Sequence, residues 1–154
     1  MCGIAGILAP GRPEGWLAGS ARRMADSVHH RGPDDGGVWT DAEAGIALGH
    51  RRLSIIDLSS AGAQPMTSHS GRYVISYNGE VYNFADLRTE LEPRGVRFRG
   101  SSDTEAILAA IEAWGIEESL KRFVGMFAFA LWDRQERTLH LVRDRLGIKP
   151  LYWA

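Results

Sequence analysis

The hydrophobic positions of this chain fall into short blocks, some alternating with a period of two and others recurring at helical spacing. Residues 3–9 (GIAGILA) are small and apolar and predict a short buried strand, stopped by Pro10-Gly11 and Pro13. Leu17, Ala21, Met24, Ala25 and Val28 then line one face of an amphipathic helix over 15–28. The polar stretch 29–37 (HHRGPDDGG) breaks regular structure with two turn signals. Apolar segments at 37–40 (GVWT), 45–49 (GIALG) and 53–56 (LSII) are spaced like a strand meander. A loop holding Gly62 and Pro65 leads to a strand at 72–77 (RYVISY), which ends on Asn78-Gly79, a strong turn signal.

The second half is more helical. Asn83 is placed to cap a helix with Phe84, Leu87 and Leu91 on one face, ending before Pro93 and Gly95. Residues 96–98 (VRF) suggest a short strand. Ser102-Asp103-Thr104-Glu105 is a capping box ahead of Ile107, Leu108, Ile111 and Trp114. A shorter helix at 116–122 precedes strands at 127–132 and 138–142, and a further apolar strand signal lies just before Trp153-Ala154. Strands first, helices between and a closing hairpin predict an α+β domain of mainly antiparallel sheets. Strands with consecutive apolar residues, such as Val74-Ile75, predict a central sheet pair covered by helices on both sides.

Composition narrows the function classes. At 154 residues a single domain is expected, and a net charge of −1 gives no basic surplus for nucleic acid. No apolar run reaches the roughly 18 residues of a membrane span, and the start lacks the basic and apolar regions of a signal peptide. Cys2 is the only cysteine, so no internal disulfide is possible and a reducing cytoplasm fits best. No Cys/His cluster has metal-ligand spacing.

That cysteine is also the candidate for chemistry. If Met1 is removed, thiol and free α-amine share one residue. An unperturbed thiol titrates near about 8.5 and an α-amine near about 7.7–8.0, which places a nucleophile beside a base at neutral pH. The plainer reading is an apolar N-terminal strand that includes a cysteine. A thiol nucleophile implies acyl transfer, which needs an oxyanion site. Asn78 offers an amide donor, and Gly79 a backbone N–H that can be approached closely; the alternative is a hairpin turn with Glu80 facing water. Asp103, in the first turn of a capped helix, is structurally ordinary there but also suits a substrate ammonium. Arg52 can fork onto a carboxylate or lie as a solvated cation. Together these residues suit a zwitterionic amino acid.

With these residues the chain closely resembles the N-terminal glutaminase domain of asparagine synthetases, class II glutamine amidotransferases of the N-terminal-nucleophile (Ntn) hydrolase fold. Seven segments carry the resemblance in order: MCGIAGIL, HHRGPDDGG, GHRRLSIIDLSSAGAQPM, YNGEVYNF, GSSDTEAI, GMFAFALWD and RDRLGIKPLYW. The resemblance implies a four-layer αββα sandwich and hydrolysis of glutamine to glutamate and ammonia through a thioester on Cys2. It assigns the α-amine of Cys2 as base and then acid, and Asn78 and Gly79 to the oxyanion. It assigns Arg52 to the substrate α-carboxylate, and Glu80 and Asp103 to the α-ammonium. The backbone of a strand at Leu53, Ser54, Ile55 and Ile56 would line the pocket, and Arg31 and Gly32 would belong to a supporting loop. The turn 143–147 (RDRLG) is read as structural or as facing a neighbouring domain.

Members of this family continue into further glutaminase strands and an ATP-binding synthetase domain whose pyrophosphate loop has no counterpart here. The domain is therefore expected to be C-terminally truncated, with no metal and no cofactor on this chain; ATP and magnesium would belong to the absent domain. The expected partners are glutamine and a synthetase domain, in cis or on another chain. Exposed sheet edges would favour a partner or a homodimer. The rival readings are an amidotransferase with another ammonia acceptor and a non-catalytic glutamine-binding remnant.

Overall fold

The computed structural model describes residues 2–54 and 59–154. Strands β1 (Gly3–Leu8), β2 (Asp35–Asp41) and β3 (Ile46–Arg52) form an antiparallel sheet in the order β1-β3-β2. A second antiparallel sheet runs β4-β5-β6-β7, from β4 (Met66–Thr67) and β5 (Tyr73–Val81) to β6 (Gly125–Asp133) and β7 (Thr138–Arg143). Helix α1 (Glu14–Ser27) covers the outer face of the first sheet. Helices α2 (Phe84–Leu91), α3 (Asp103–Trp114) and α4 (Ile116–Arg122) cover the outer face of the second. The architecture is the expected α+β, four-layer αββα sandwich.

Side-chain alternation along each strand assigns the faces. On β3, Ala47 packs beneath Leu17 and Ala21, and Arg51 pairs with Asp26 of α1. Ile46 and Leu48 point the other way and meet Val74, Ala130 and Trp132 of the second sheet. His50 and Arg52 continue that inward face. On β5, Tyr73, Ile75, Tyr77 and Val81 enter the core under the helices, with Leu87, Leu91, Ile107 and Ile111. Val74, Ser76, Asn78 and Glu80 therefore look inward at the first sheet. The gap between the sheets is apolar at one end and polar at the other.

Several local expectations need correction. Asn78-Gly79 is not a turn, because β5 runs straight through it to Val81. The reason lies on the neighbouring strand: a Cβ on Gly79 would stand 2.3 Å from the Met126 carbonyl oxygen and 2.6 Å from Phe127 Cα. This glycine serves a close strand approach rather than a reversal. The predicted strand at 45–49 is β3, which runs on to Arg52; of the segment 53–56, Leu53 and Ser54 lie beyond β3, and Ile55 and Ile56 are outside the described residues. Residues 96–98 and 150–154 form no strand. Asn83 precedes α2 without capping it by its side chain, which instead accepts from Val124 N and donates to the Arg122 carbonyl. Only half of the capping box forms: Ser102 Oγ accepts from Glu105 N, but the Glu105 carboxylate holds the N–H groups of Arg99 and Gly100.

Candidate active site

Register brings Cys2 to the polar end of the gap. Gly3 is paired with Arg51, so Cys2 extends β1 beside Arg52 and shares its inward face. The backbone just past β3 holds the sulfur: Leu53 N–H donates to Sγ at 3.4 Å, and Sγ lies 3.8 Å from the Leu53 carbonyl oxygen. Cys2 is partly exposed. Its carbonyl accepts from Arg31 Nε at 3.2 Å. The loop that carries Arg31 is laid against the end of β3, where Asp34 N–H donates to the Arg52 carbonyl and Ser54 N–H to the Asp34 carboxylate. A Cβ on Gly32 would stand 2.4 Å from the Arg51 carbonyl group, so the loop approaches this closely only with glycine there.

Across the gap stands β5. Asn78 is buried, and its side-chain Oδ1 finds no partner among the described residues. Beyond the two residues of β4, one edge of β5 has no strand neighbour among the described residues. Side chains close it instead. Gln64 Oε1 accepts from Tyr77 N at 2.7 Å, and Asp103 Oδ2 accepts from Val81 N at 3.0 Å. N–H groups alternate between the two edges of a strand, so the Gly79 N–H lies on this same free edge, between those two. Arg52 is buried and donates through Nη1 to the Ser59 carbonyl at 2.9 Å. Glu80 is half-buried on the inward face.

Asp103 is placed on the helix side of the second sheet, reaching β5 at its edge. Oδ2 accepts from the Tyr77 hydroxyl at 2.6 Å as well as from Val81. Burial raises the Asp103 carboxyl above its ordinary range, while the bonds from Tyr77 and Val81 pull it back. Burial and the neighbouring carboxylate together push the Tyr77 hydroxyl well above the ordinary range. A cation bound at Asp103 would relieve the cost of keeping that carboxylate charged.

The sequence-predicted residues are carried by four parts of the fold. Cys2 and Arg52 come from the first sheet, Asn78, Gly79 and Glu80 from β5, Asp103 from α3, and Arg31 and Gly32 from the loop after α1. Of the predicted pocket wall, Leu53 touches Cys2 and Ser54 bonds Asp34, while Ile55 and Ile56 lie outside the described residues.

Sequence reasoning missed a supporting set. Gln64 ties β5 to α3, its Nε2 donating to Thr104 Oγ1 at 3.3 Å. His50 and Ser76 tie the sheets together (below). Lys149 is 2% exposed, and burial together with Arg31 draws its ammonium below the ordinary range, against the opposing pull of Asp144 and Glu80. Asp144 accepts from the N–H groups of Phe127, Leu146, Ile148 and Lys149, which hold its carboxyl below the ordinary range despite burial. The structural reading of the 143–147 turn is thereby accounted for. A Gln before Pro65 and an Asp before a Gly-containing turn were the only signals available.

Comparison with known proteins follows the same line. The family model of a glutamine amidotransferase domain matches residues 1–154. Asparagine synthetase (glutamine-hydrolyzing) 3 of Bacillus subtilis is 41% identical over 156 residues, covering 100% of this chain and 25% of that protein. A putative asparagine synthetase (glutamine-hydrolyzing) of Mycobacterium tuberculosis is 45% identical over 167 residues, with the same two shares. The structure of a glutamine phosphoribosylpyrophosphate amidotransferase from B. subtilis, complexed with ADP and GMP, superposes with a TM-score of 0.77 over 96% of this chain and 38% of that one. At 22% identity that likeness concerns the fold. The chain spans about a quarter of the length of the curated relatives it matches.

Proposed function

The chain belongs to the glutamine amidotransferase domain family, and on that premise we propose that it hydrolyses glutamine to glutamate and ammonia through a thioester on Cys2. Met1 is removed first, leaving Cys2 with a free α-amine. The amine takes the thiol proton as sulfur attacks the glutamine side-chain carbonyl. The tetrahedral oxyanion lies between the Asn78 amide and the Gly79 N–H. The amine then returns its proton to the leaving nitrogen, so ammonia departs and a glutamyl thioester remains. Water adds to the thioester by the same route, and glutamate and the thiol are released. Arg52 takes the substrate α-carboxylate, Glu80 and Asp103 the α-ammonium, and the backbone at Leu53 and Ser54 the wall of the pocket. Arg31 and Gly32 keep the Cys2 backbone in place.

The observation that carries this reading is that Cys2 and Arg52 share one inward face and Asn78 and Glu80 the other, with Gly79 at an edge that has no strand neighbour among the described residues. The ammonia is meant for an ATP-dependent synthetase domain, in cis or on a partner chain, as in proteins named asparagine synthetase. The cytoplasm, where a lone thiol stays reduced, is the proposed setting.

Purified chain whose intact mass shows loss of Met1 is expected to release glutamate from glutamine, and the Cys2→Ala variant to release none. Equal rates for the two would overturn the reading. If the chain binds glutamine without turnover, it is a binding remnant instead.

A further inference from the structure

Cys2 and the oxyanion residues are carried by different sheets, so their separation depends on what ties the sheets together beside them. Among the described residues, two side chains do so next to the site. Ser76 Oγ–H of β5 donates to the Gly49 carbonyl of β3 at 2.9 Å. One residue further along both strands, His50 Nε2 of β3 meets the Tyr77 carbonyl of β5 at 2.9 Å. A carbonyl only accepts, so the ring carries its proton on Nε2. The His50 Nδ1 is then a bare acceptor, buried without a partner among the described residues. The ring is fully buried, and its charged neighbours are Arg52 and Asp35. Burial keeps it neutral, with the pKa lowered to about 4.

Tyr77 is the residue before Asn78, and Arg52 is two residues beyond His50 on the same face. Past the His50 bond, the groups facing across the gap are those assigned above to substrate.

We propose that His50 is a positioning residue for the glutaminase reaction: its Nε2–H, bonded to the Tyr77 carbonyl, sets the distance between Cys2 on the first sheet and the Asn78-Gly79 oxyanion site on the second. The inference rests on the reading above. It goes beyond it in giving a specific task to a histidine that touches no substrate. A histidine that merely filled the core would affect folding but not the transition state selectively.

The test compares wild type, His50→Leu and His50→Gln, each freed of Met1. Glutamine can place its Nε2 where the ring Nε2 lies and keep the donor; leucine cannot. For His50→Leu, kcat for glutamine is expected to fall roughly tenfold to a hundredfold with KM nearly unchanged, the size of effect that misplacing an oxyanion site produces. The same factor is expected in the affinity for the γ-aldehyde analogue of glutamine, which adds to a thiol as a tetrahedral adduct, and not in the affinity for L-glutamate. His50→Gln is expected to recover most of kcat. An active wild type matched by His50→Leu, or a folded His50→Gln as impaired as His50→Leu, overturns this inference alone. A rise in KM with kcat kept overturns it as well. Should His50→Leu not fold, His50→Gln decides, because a folded Gln variant that has lost kcat contradicts the assigned role. A wild type without turnover overturns the underlying reading, and this inference with it.

Discussion

Buried polar side chains set the chemistry of the gap between the sheets, and each has a consequence that can be measured. The unfolded chain takes up a proton at His50 near its ordinary pKa of 6.5, while the folded chain does so only near about 4. Between those values the unfolded state binds more protons, so stability is full above about pH 6.5 and declines as pH falls toward 4. At about 1.4 kcal/mol per tenfold change in proton affinity, the decline attributable to His50 is about 3 kcal/mol. Urea midpoints across this range should show that slope in wild type and lose it in His50→Gln. Asp103 behaves in the opposite sense. Tyr77→Phe removes one of the two bonds on Oδ2 and is expected to cost about 1–3 kcal/mol of stability. It should also raise the Asp103 pKa further. If Asp103 holds the substrate ammonium, KM for glutamine rises as pH falls, and this rise begins at a higher pH in Tyr77→Phe. A KM–pH profile identical to wild type would remove Asp103 from the substrate site. Cys2, Arg52 and Asp103 stand out in the sequence as site candidates because their residue types announce a chemistry. His50, Ser76 and Gln64 were not, because they bond backbone groups 27, 27 and 13 residues away, and such pairing leaves no pattern of residue types.

β5 is the element on which most of the site depends. Its free edge presents Gly79 between two N–H groups already held by Gln64 and Asp103. Gly79→Ala would drive a Cβ into the backbone of β6, which has no room to yield. A loss of about 1–3 kcal/mol is expected from overpacking, together with a fall in kcat because the N–H moves. Retained activity with an unchanged thermal midpoint would show that the strands separate without cost. The Asp144 turn braces β6 from the other side, accepting from Phe127 N–H directly across from Gly79. Asp144→Asn removes a charge held by four backbone donors, and since bonds to charged groups contribute about 1.5–3 kcal/mol each, the chain should lose at least about 2 kcal/mol by denaturant titration. A midpoint within error of wild type would contradict the role. The hydrophobic pattern read correctly the existence of β1, α1, β5, α2, α3, α4, β6 and β7. It misread Asn78-Gly79, because dipeptide turn chemistry is local and the contact that requires this glycine comes from a strand some 50 positions later in the chain.

At the scale of the molecule, the sandwich is closed by apolar packing at one end and opened by polar groups at the other. Ile46, Leu48, Val74, Ala130 and Trp132 clamp the sheets, and the strands then carry His50, Arg52, Asn78 and Glu80 out from that clamp. The layers were legible from strand and helix order. Which end of the gap would be polar was not, since that depends on register between strands far apart in sequence. Tyr152 and Trp153, 91% and 83% exposed, take no part in the clamp. Replacing both by Ser should change stability by less than about 0.5 kcal/mol, as for exposed positions generally.

The proposed reaction requires that Cys2 become acylated by glutamine at the mouth of this gap. Acid quenching of the Met1-free chain during turnover, followed by mass spectrometry of its N-terminal peptide, tests that claim directly. One glutamyl group on Cys2, released by hydroxylamine and absent from Cys2→Ala, is the expected result. Turnover in which the N-terminal peptide stays unmodified and the glutamyl group is found on another residue would contradict the claim.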